Sequence, residues 1–189
     1  MRLVRTPEIR DFWRRCIPSR LAPFGRSLRK GPYRLNSGNF ASTSSVEFLV
    51  HLFEVPIVVP AVRDEIERGV KHGHEYLTSA VEAFDNGLAV SDVPPEIGRV
   101  SLHERLDPGE REALLGAAER NGTIATDDLA ARRLSTELDV PVTGSIGLLV
   151  LGIKRERTDS ETADEWLKIW RDERGYYAPV ESVTELLDK

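Results

Sequence analysis

The sequence predicts an α/β sandwich with a mostly parallel sheet, and three observations carry that prediction. From residue 33 onward, short apolar runs alternate with amphipathic segments of helix length. One run, VPIVV (residues 55–59), is unbroken, as strands buried on both faces of a parallel sheet are. Several helical segments also open on capping residues placed directly after such runs. A length of 189 residues suits one domain of this class with a substantial core. The chain divides into a basic, poorly ordered extension over residues 1–32 and a domain over residues 33–189.

Taken in order, YRLNSG (33–38) is expected to be a short first strand closing on a Gly turn. Ser44 and Ser45 then open a helix whose Val46, Leu49, Val50 and Phe53 recur at helical spacing. VPIVV follows as a strand, and Pro60 suits the first helical position of the next helix, with Ala61, Val62, Ile66 and Val70 inward. His74 to Asn86 reads as another helix, with Leu77, Ala80, Val81 and Phe84 inward, and Gly87 leads into a strand over 88–93. After a connection, Asp107 caps a helix with Pro108 first and Glu110 third, stopped by Asn121 and Gly122.

TIAT (123–126) is a strand, 126–138 a helix, VPV (140–142) a strand and 144–156 a mostly apolar helix. Thr158 with Glu161 forms a capping box before a helix that carries Ala163, Trp166, Leu167 and Trp170 on one side. The two tryptophans are thereby expected in the core, and a last short helix is expected near Pro179.

Charge is distributed unevenly. The net charge is −5, yet residues 1–34 hold ten Arg or Lys against Glu8 and Asp11, leaving sixteen against twenty-nine elsewhere. An acidic body argues against passive binding of nucleic acid through a basic surface. The Arg-rich leader reads as a transit peptide, an overextended start or a basic arm for RNA. A lone cysteine, Cys16, excludes an internal disulfide, and with no long apolar run the expected setting is the cytoplasm, away from membranes.

Acids placed just after strands of an α/β sheet lie where ligands gather, so Asp127 and Asp128, following TIAT, are candidate site residues. Their alternative role is to complement the helix dipole. Glu110 is equally explained as the partner of Asp107 in a capping pair. Glu65 lies one turn after Ala61 and beside Ile66, near an apolar face where carboxylates are normally avoided. Gathered carboxylates repel and call for a hard cation such as Mg²⁺. His72 and His74 lack the companions of a zinc site, Cys16 lacks a paired His, and no phosphate-binding Gly loop follows a strand. Tyr176 and Tyr177 have rings that can stack on bases, but an interface or surface role is commoner for such residues, and neither role is assigned.

VVPAVRDEIERG, LDPGEREALLGAAERNGTIATDD and LAARRLSTELDVPVTGSIGLL, in that order, resemble the PIN-domain family of metal-dependent ribonucleases, in particular the toxin type called VapC and its uncharacterised prokaryotic relatives. The resemblance covers residues 33–189, and 110–147 is its most specific part. It implies a three-layer α/β/α sandwich with a sheet of about five parallel strands, and an acidic cleft that binds Mg²⁺ or Mn²⁺. Position by position, the family's acids fall on Glu65, Glu110 and Asp128 as catalytic and metal-binding residues, with Asp127 auxiliary.

The first acid, usually an Asp ending strand one, falls on Asn36, and no Asp or Glu occurs between Phe12 and Val46 to replace it. The resemblance thus implies a Mg²⁺-dependent endoribonuclease, the toxin of a toxin–antitoxin pair, acting on RNA as a homodimer and inhibited by a small antitoxin protein. The alternative is a weakened relative that binds RNA or an antitoxin without cutting.

Overall fold

A computed structural model of the chain describes residues 37–86, 88–90 and 106–187. The expected extension over 1–32, Asn36, Cys16 and His103 lie outside the described residues. The chain order is α1 (Ser37–Ser42), α2 (Val46–Leu52), β1 (Ile57–Val58), α3 (Pro60–Lys71), a 3₁₀ turn at Glu75–Leu77, α4 (Thr78–Asp85) and β2 (Ala89–Val90). There follow α5 (Pro108–Glu119), β3 (Ile124–Ala125), α6 (Leu129–Glu137), β4 (Val142–Thr143), α7 (Ser145–Lys154), α8 (Ser160–Arg174) and a 3₁₀ turn at Val183–Leu186.

The fold is α/β. Among the described residues the strands form two parallel pairs, with Ile57 opposite Ala89 and Val58 opposite Val90 in one, and Ile124 opposite Val142 and Ala125 opposite Thr143 in the other. Parallel pairing obliges a crossover, which the intervening helices supply. Each strand is only two residues long. Helices therefore contribute most of the buried surface, and Val58, Leu49, Leu114, Ile124, Leu148, Leu149 and Leu167 are fully enclosed.

Three expectations are corrected. Ser37 and Gly38 begin helix α1 instead of closing a first strand. Helix α8 is capped by Asp159, whose carboxylate accepts the Thr162 N–H at 2.7 Å, and not by Thr158. That N–H holds the Asp159 carboxyl below its ordinary range. The last helical turn begins after Ser182 instead of Pro179, because Ser182 and Glu185 form the capping box there.

Other boundaries follow the chemistry. Pro60 opens α3, whose Val62 and Ile66 are buried while Ala61 and Val70 are half-buried. Asp107 accepts the Glu110 N–H at 2.8 Å to start α5, and Asn121, at φ 51°, takes the left-handed conformation that ends it. Gly175, at φ 61°, ends α8 in the same way.

Two helices lack a capping side chain of their own and take one from elsewhere. Val59 precedes α3, and the Ala61 N–H donates instead to Glu112 Oε2 on α5 at 3.0 Å. Gly144 precedes α7, and its first amide is met by Asp127. Both acids bring negative charge to the positive end of a helix, a stabilising placement.

Aromatic rings run through the core in sequence. Trp166 meets Phe48 edge to face at 5.3 Å, Phe48 stacks on Phe40 at 5.9 Å, Phe40 meets Trp170 at 4.8 Å, and Trp170 meets Tyr176 at 5.8 Å. Gly152 of α7 is the close approach that admits this row, since a Cβ there would stand 2.5 Å from two carbons of the Phe48 ring. Gly152→Ala is accordingly expected to destabilise the fold by about 1–3 kcal/mol, overpacking outweighing the helix-propensity gain of about 1 kcal/mol. A urea unfolding midpoint equal to or above that of the unaltered chain would contradict this.

Candidate functional site

The C-terminal end of β3 positions a cluster of polar side chains. Thr126 leaves the strand with its N–H on the Thr143 carbonyl at 2.9 Å, and its Oγ1 accepts the Asp128 N–H at 3.1 Å. Asp128 Oδ1 then accepts the Ala131 N–H at 2.7 Å, which caps α6. Asp128 is exposed beside the strand end.

Asp127 behaves differently from its neighbour. Its Oδ1 accepts the Ser145 N–H at 2.9 Å and the Tyr176 O–H at 3.2 Å, and its Oδ2 accepts the Ser145 O–H at 2.5 Å. Ser145 is buried, and its Oγ also lies 3.4 Å from the Nδ2 of Asn39 on α1. The Arg132 guanidinium donates to the Thr126 carbonyl at 3.0 Å, beside the same carboxylate. Loop β3–α6, the start of α7 and the segment after α8 therefore meet at Asp127, and helix α1 joins the cluster through Ser145.

Tyr176 reaches this cluster because the segment after α8 is bound back onto that helix. Val183 N–H and Ser182 O–H donate to Asp164, and Arg171 pairs with Glu181 at 2.8 Å. In the extended stretch that follows Gly175, Tyr176 turns inward while Tyr177 is 87% exposed. Burial first, then the adjacent Asp127 carboxylate, push the Tyr176 phenol well above its ordinary value of 10.0.

The sign of that shift sets a pH dependence. The folded chain keeps a proton that the unfolded chain releases, so the stabilising contribution is intact below about pH 10 and is lost as pH rises above it. Tyr176→Phe is expected to lose less stability than the unaltered chain between about pH 9 and 11 in urea titrations. Parallel curves would show that Tyr176 does not titrate as described.

The remaining candidates lie on neighbouring helices. Glu65 is exposed on α3, although Ile66 beside it is buried, so it does not lie against the apolar face as expected. Glu110 is half-buried in the first turn of α5. Helices α3 and α5 pack together, as do α5 and α6, which places the supports of Glu65, Glu110 and Asp128 side by side. Among the described residues no three His, Cys, Asp or Glu stand close enough to hold a metal ion.

Carboxylates are the hard oxygen donors that Mg²⁺ prefers, and this ion is often held by one or two of them, with water and substrate phosphate completing its shell. Glu65, Glu110 and Asp128 are donors of that chemical kind, but the described residues do not gather three such acids within reach of one ion. The contacts of Asn39, Ser145, Tyr176 and Glu112 escape sequence reasoning because their partners are remote in the chain. The one local signal is the Gly-Ser pair opening α7, a helix start with no capping side chain before it.

Among the described residues no helix is long and apolar enough to cross a membrane. In comparisons with known proteins, a family model described as a PIN domain matches residues 38–189. Neither a curated protein nor a solved structure matches the chain.

Proposed function

The chain belongs to the PIN-domain family, a membership that suggests nuclease-like function, and from this premise we propose that it is a divalent-metal-dependent endoribonuclease. The observation that carries the reading is Asp128: an exposed carboxylate just after the C-terminal end of a parallel strand, with one oxygen fixed by a backbone amide. Ligands of α/β sheets collect at that edge.

Asp128, Glu65 and Glu110 are the acids that would hold Mg²⁺ or Mn²⁺, with Asn36 at the remaining position. The ion, when bound, would supply the positive charge that polarises a phosphodiester and activates water. The protein's own part is to keep the Asp128 carboxylate in one orientation, through Thr126 and the Ala131 amide. The same reading joins the two strand pairs into one sheet of about five parallel strands between helical layers. The proposed setting is a cytoplasmic homodimer, the toxin of a toxin–antitoxin pair, restrained by a small antitoxin protein.

A second reading is favoured by a specific residue. Asn36 keeps a carbonyl oxygen but lacks the negative charge that attracts a cation, so a weakened relative that binds RNA or an antitoxin without cutting is the alternative. Incubation of the purified chain with mixed RNA separates the two. Cleavage with Mg²⁺ or Mn²⁺, its loss on chelation, and a fall of more than about 100-fold in Asp128→Ala are expected of the enzyme. Cleavage that survives both chelation and Asp128→Ala would overturn the metal-dependent reading.

A further inference from the structure

We propose that Asp127 is a positioning residue that latches the β3–α6 loop to the start of α7 and so sets the direction of the Asp128 carboxylate, instead of serving as a metal ligand; its catalytic consequence rests on the ribonuclease reading above. Both Asp127 oxygens are engaged. Among the described residues, Ser145 reaches them with its N–H and O–H and Tyr176 with its O–H, at 2.5–3.2 Å. A carboxylate offers about four acceptor sites, so these donors leave at most one, on the Oδ2 that already accepts the Ser145 hydroxyl, and an ion there would compete with a bond that helps hold three segments together.

The fit around Asp127 is close. A Cβ at Gly144 would stand 2.6 Å from Asp127 Oδ1 and 3.1 Å from an Arg132 guanidinium nitrogen. Glycine is therefore needed there for proximity, its backbone being extended at φ −114°. With no side chain at its own cap, α7 depends on Asp127 for that bond. The next residue, Asp128, is fixed by its N–H on Thr126 and its Oδ1 on the Ala131 amide, so movement of the Asp127 backbone passes directly into it. Asn39 extends the chain of contacts through Ser145 to α1.

Asp127→Asn separates a latch from a ligand. Its amide oxygen can accept the Ser145 N–H and the Tyr176 O–H, while its NH₂ donates to Ser145 Oγ, so the geometry survives and the charge goes. The experiment measures Mn²⁺ binding by electron paramagnetic resonance, RNA cleavage kinetics and amide hydrogen exchange on the full chain and its variants.

Asp127→Asn is expected to bind Mn²⁺ as tightly as the unaltered chain and to retain its turnover. Asp127→Ala is expected to lose about 100-fold in kcat with KM unchanged, because small misplacement of a reacting group is costly. The same variant should exchange the Ser145 and Ala131 amides at least about tenfold faster. Asp128→Asn should weaken Mn²⁺ binding and leave Ser145 protected.

Loss of Mn²⁺ by Asp127→Asn as severe as in Asp128→Asn would make Asp127 a ligand and overturn the proposal. So would unchanged exchange at Ala131 in Asp127→Ala. A chain that neither binds Mn²⁺ nor cuts RNA would defeat the ribonuclease reading, and exchange at Ser145 and Ala131 would then decide the latch by itself.

Discussion

Trp170→Ala is expected to lower the free energy of unfolding by about 3–5 kcal/mol, the range for truncating a fully buried aromatic side chain. Trp170 is 0% exposed and holds Phe40 and Tyr176 edge to face, at interplanar angles of 71° and 77°. Against a total stability of about 5–15 kcal/mol for a domain, that loss approaches unfolding at physiological temperature. The urea midpoint should fall steeply with little change in slope, since the surface exposed on unfolding is nearly the same. Trp170→Phe should cost much less. Its ring fills most of the volume, and it removes an indole N–H that has no hydrogen-bond partner among the described residues. Equal losses in the two variants would show that the indole N–H is satisfied.

Asn36→Asp is expected to raise Mn²⁺ affinity and RNA cleavage together, by at least about 10–100-fold, the span that even indirect support of a metal site commands. The reason is charge. On the ribonuclease reading, replacing the neutral amide of residue 36 by a carboxylate adds an opposite charge to a cation shell otherwise held through one or two carboxylates. Calorimetric Mn²⁺ titration of the two proteins, with Asp128→Ala as the reference for a lost ligand, measures the change. Cleavage confined to Asn36→Asp would identify the natural chain as the binding, non-cutting relative. Unchanged affinity would remove Asn36 from the site.

Local chemistry made much of the fold readable. Pro60 before an amphipathic run located α3, and Asp107, Pro108 and Glu110 located α5, because capping depends on residues three or four apart. The apolar run at 55–59 announced β1 for a similarly local reason. Where two adjacent residues could both cap, as Thr158 and Asp159 can, spacing alone could not choose, and Asp159 took the role. Ser37 and Gly38 looked like the end of a strand, but they belong to a helix whose Phe40 and Ala41 are buried.

The candidate site was legible only in part. Asp128 was visible as an acid after a strand. The use of Asp127 was not, since its partners Ser145 and Tyr176 are 18 and 49 residues away and no local pattern encodes them. Glu65 was marked out by its neighbour Ile66, yet a helix turns by about 100° in one residue, so one can be buried while the next is not, and Glu65 is exposed.

The row of aromatic rings has a kinetic meaning as well as an energetic one. Its joints link residue 40 to 170 and residue 48 to 166, so no ring pair at these joints can form until nearly the whole domain has been drawn into a loop. Such closure is entropically costly in advance of any reward, which places these contacts late, after the transition state, with φ-values near zero. Late contacts act on unfolding more than on folding. The rings that end at Tyr176, and through it at Asp127, therefore govern how long the site lasts once formed, while leaving the rate of its assembly to the local helices.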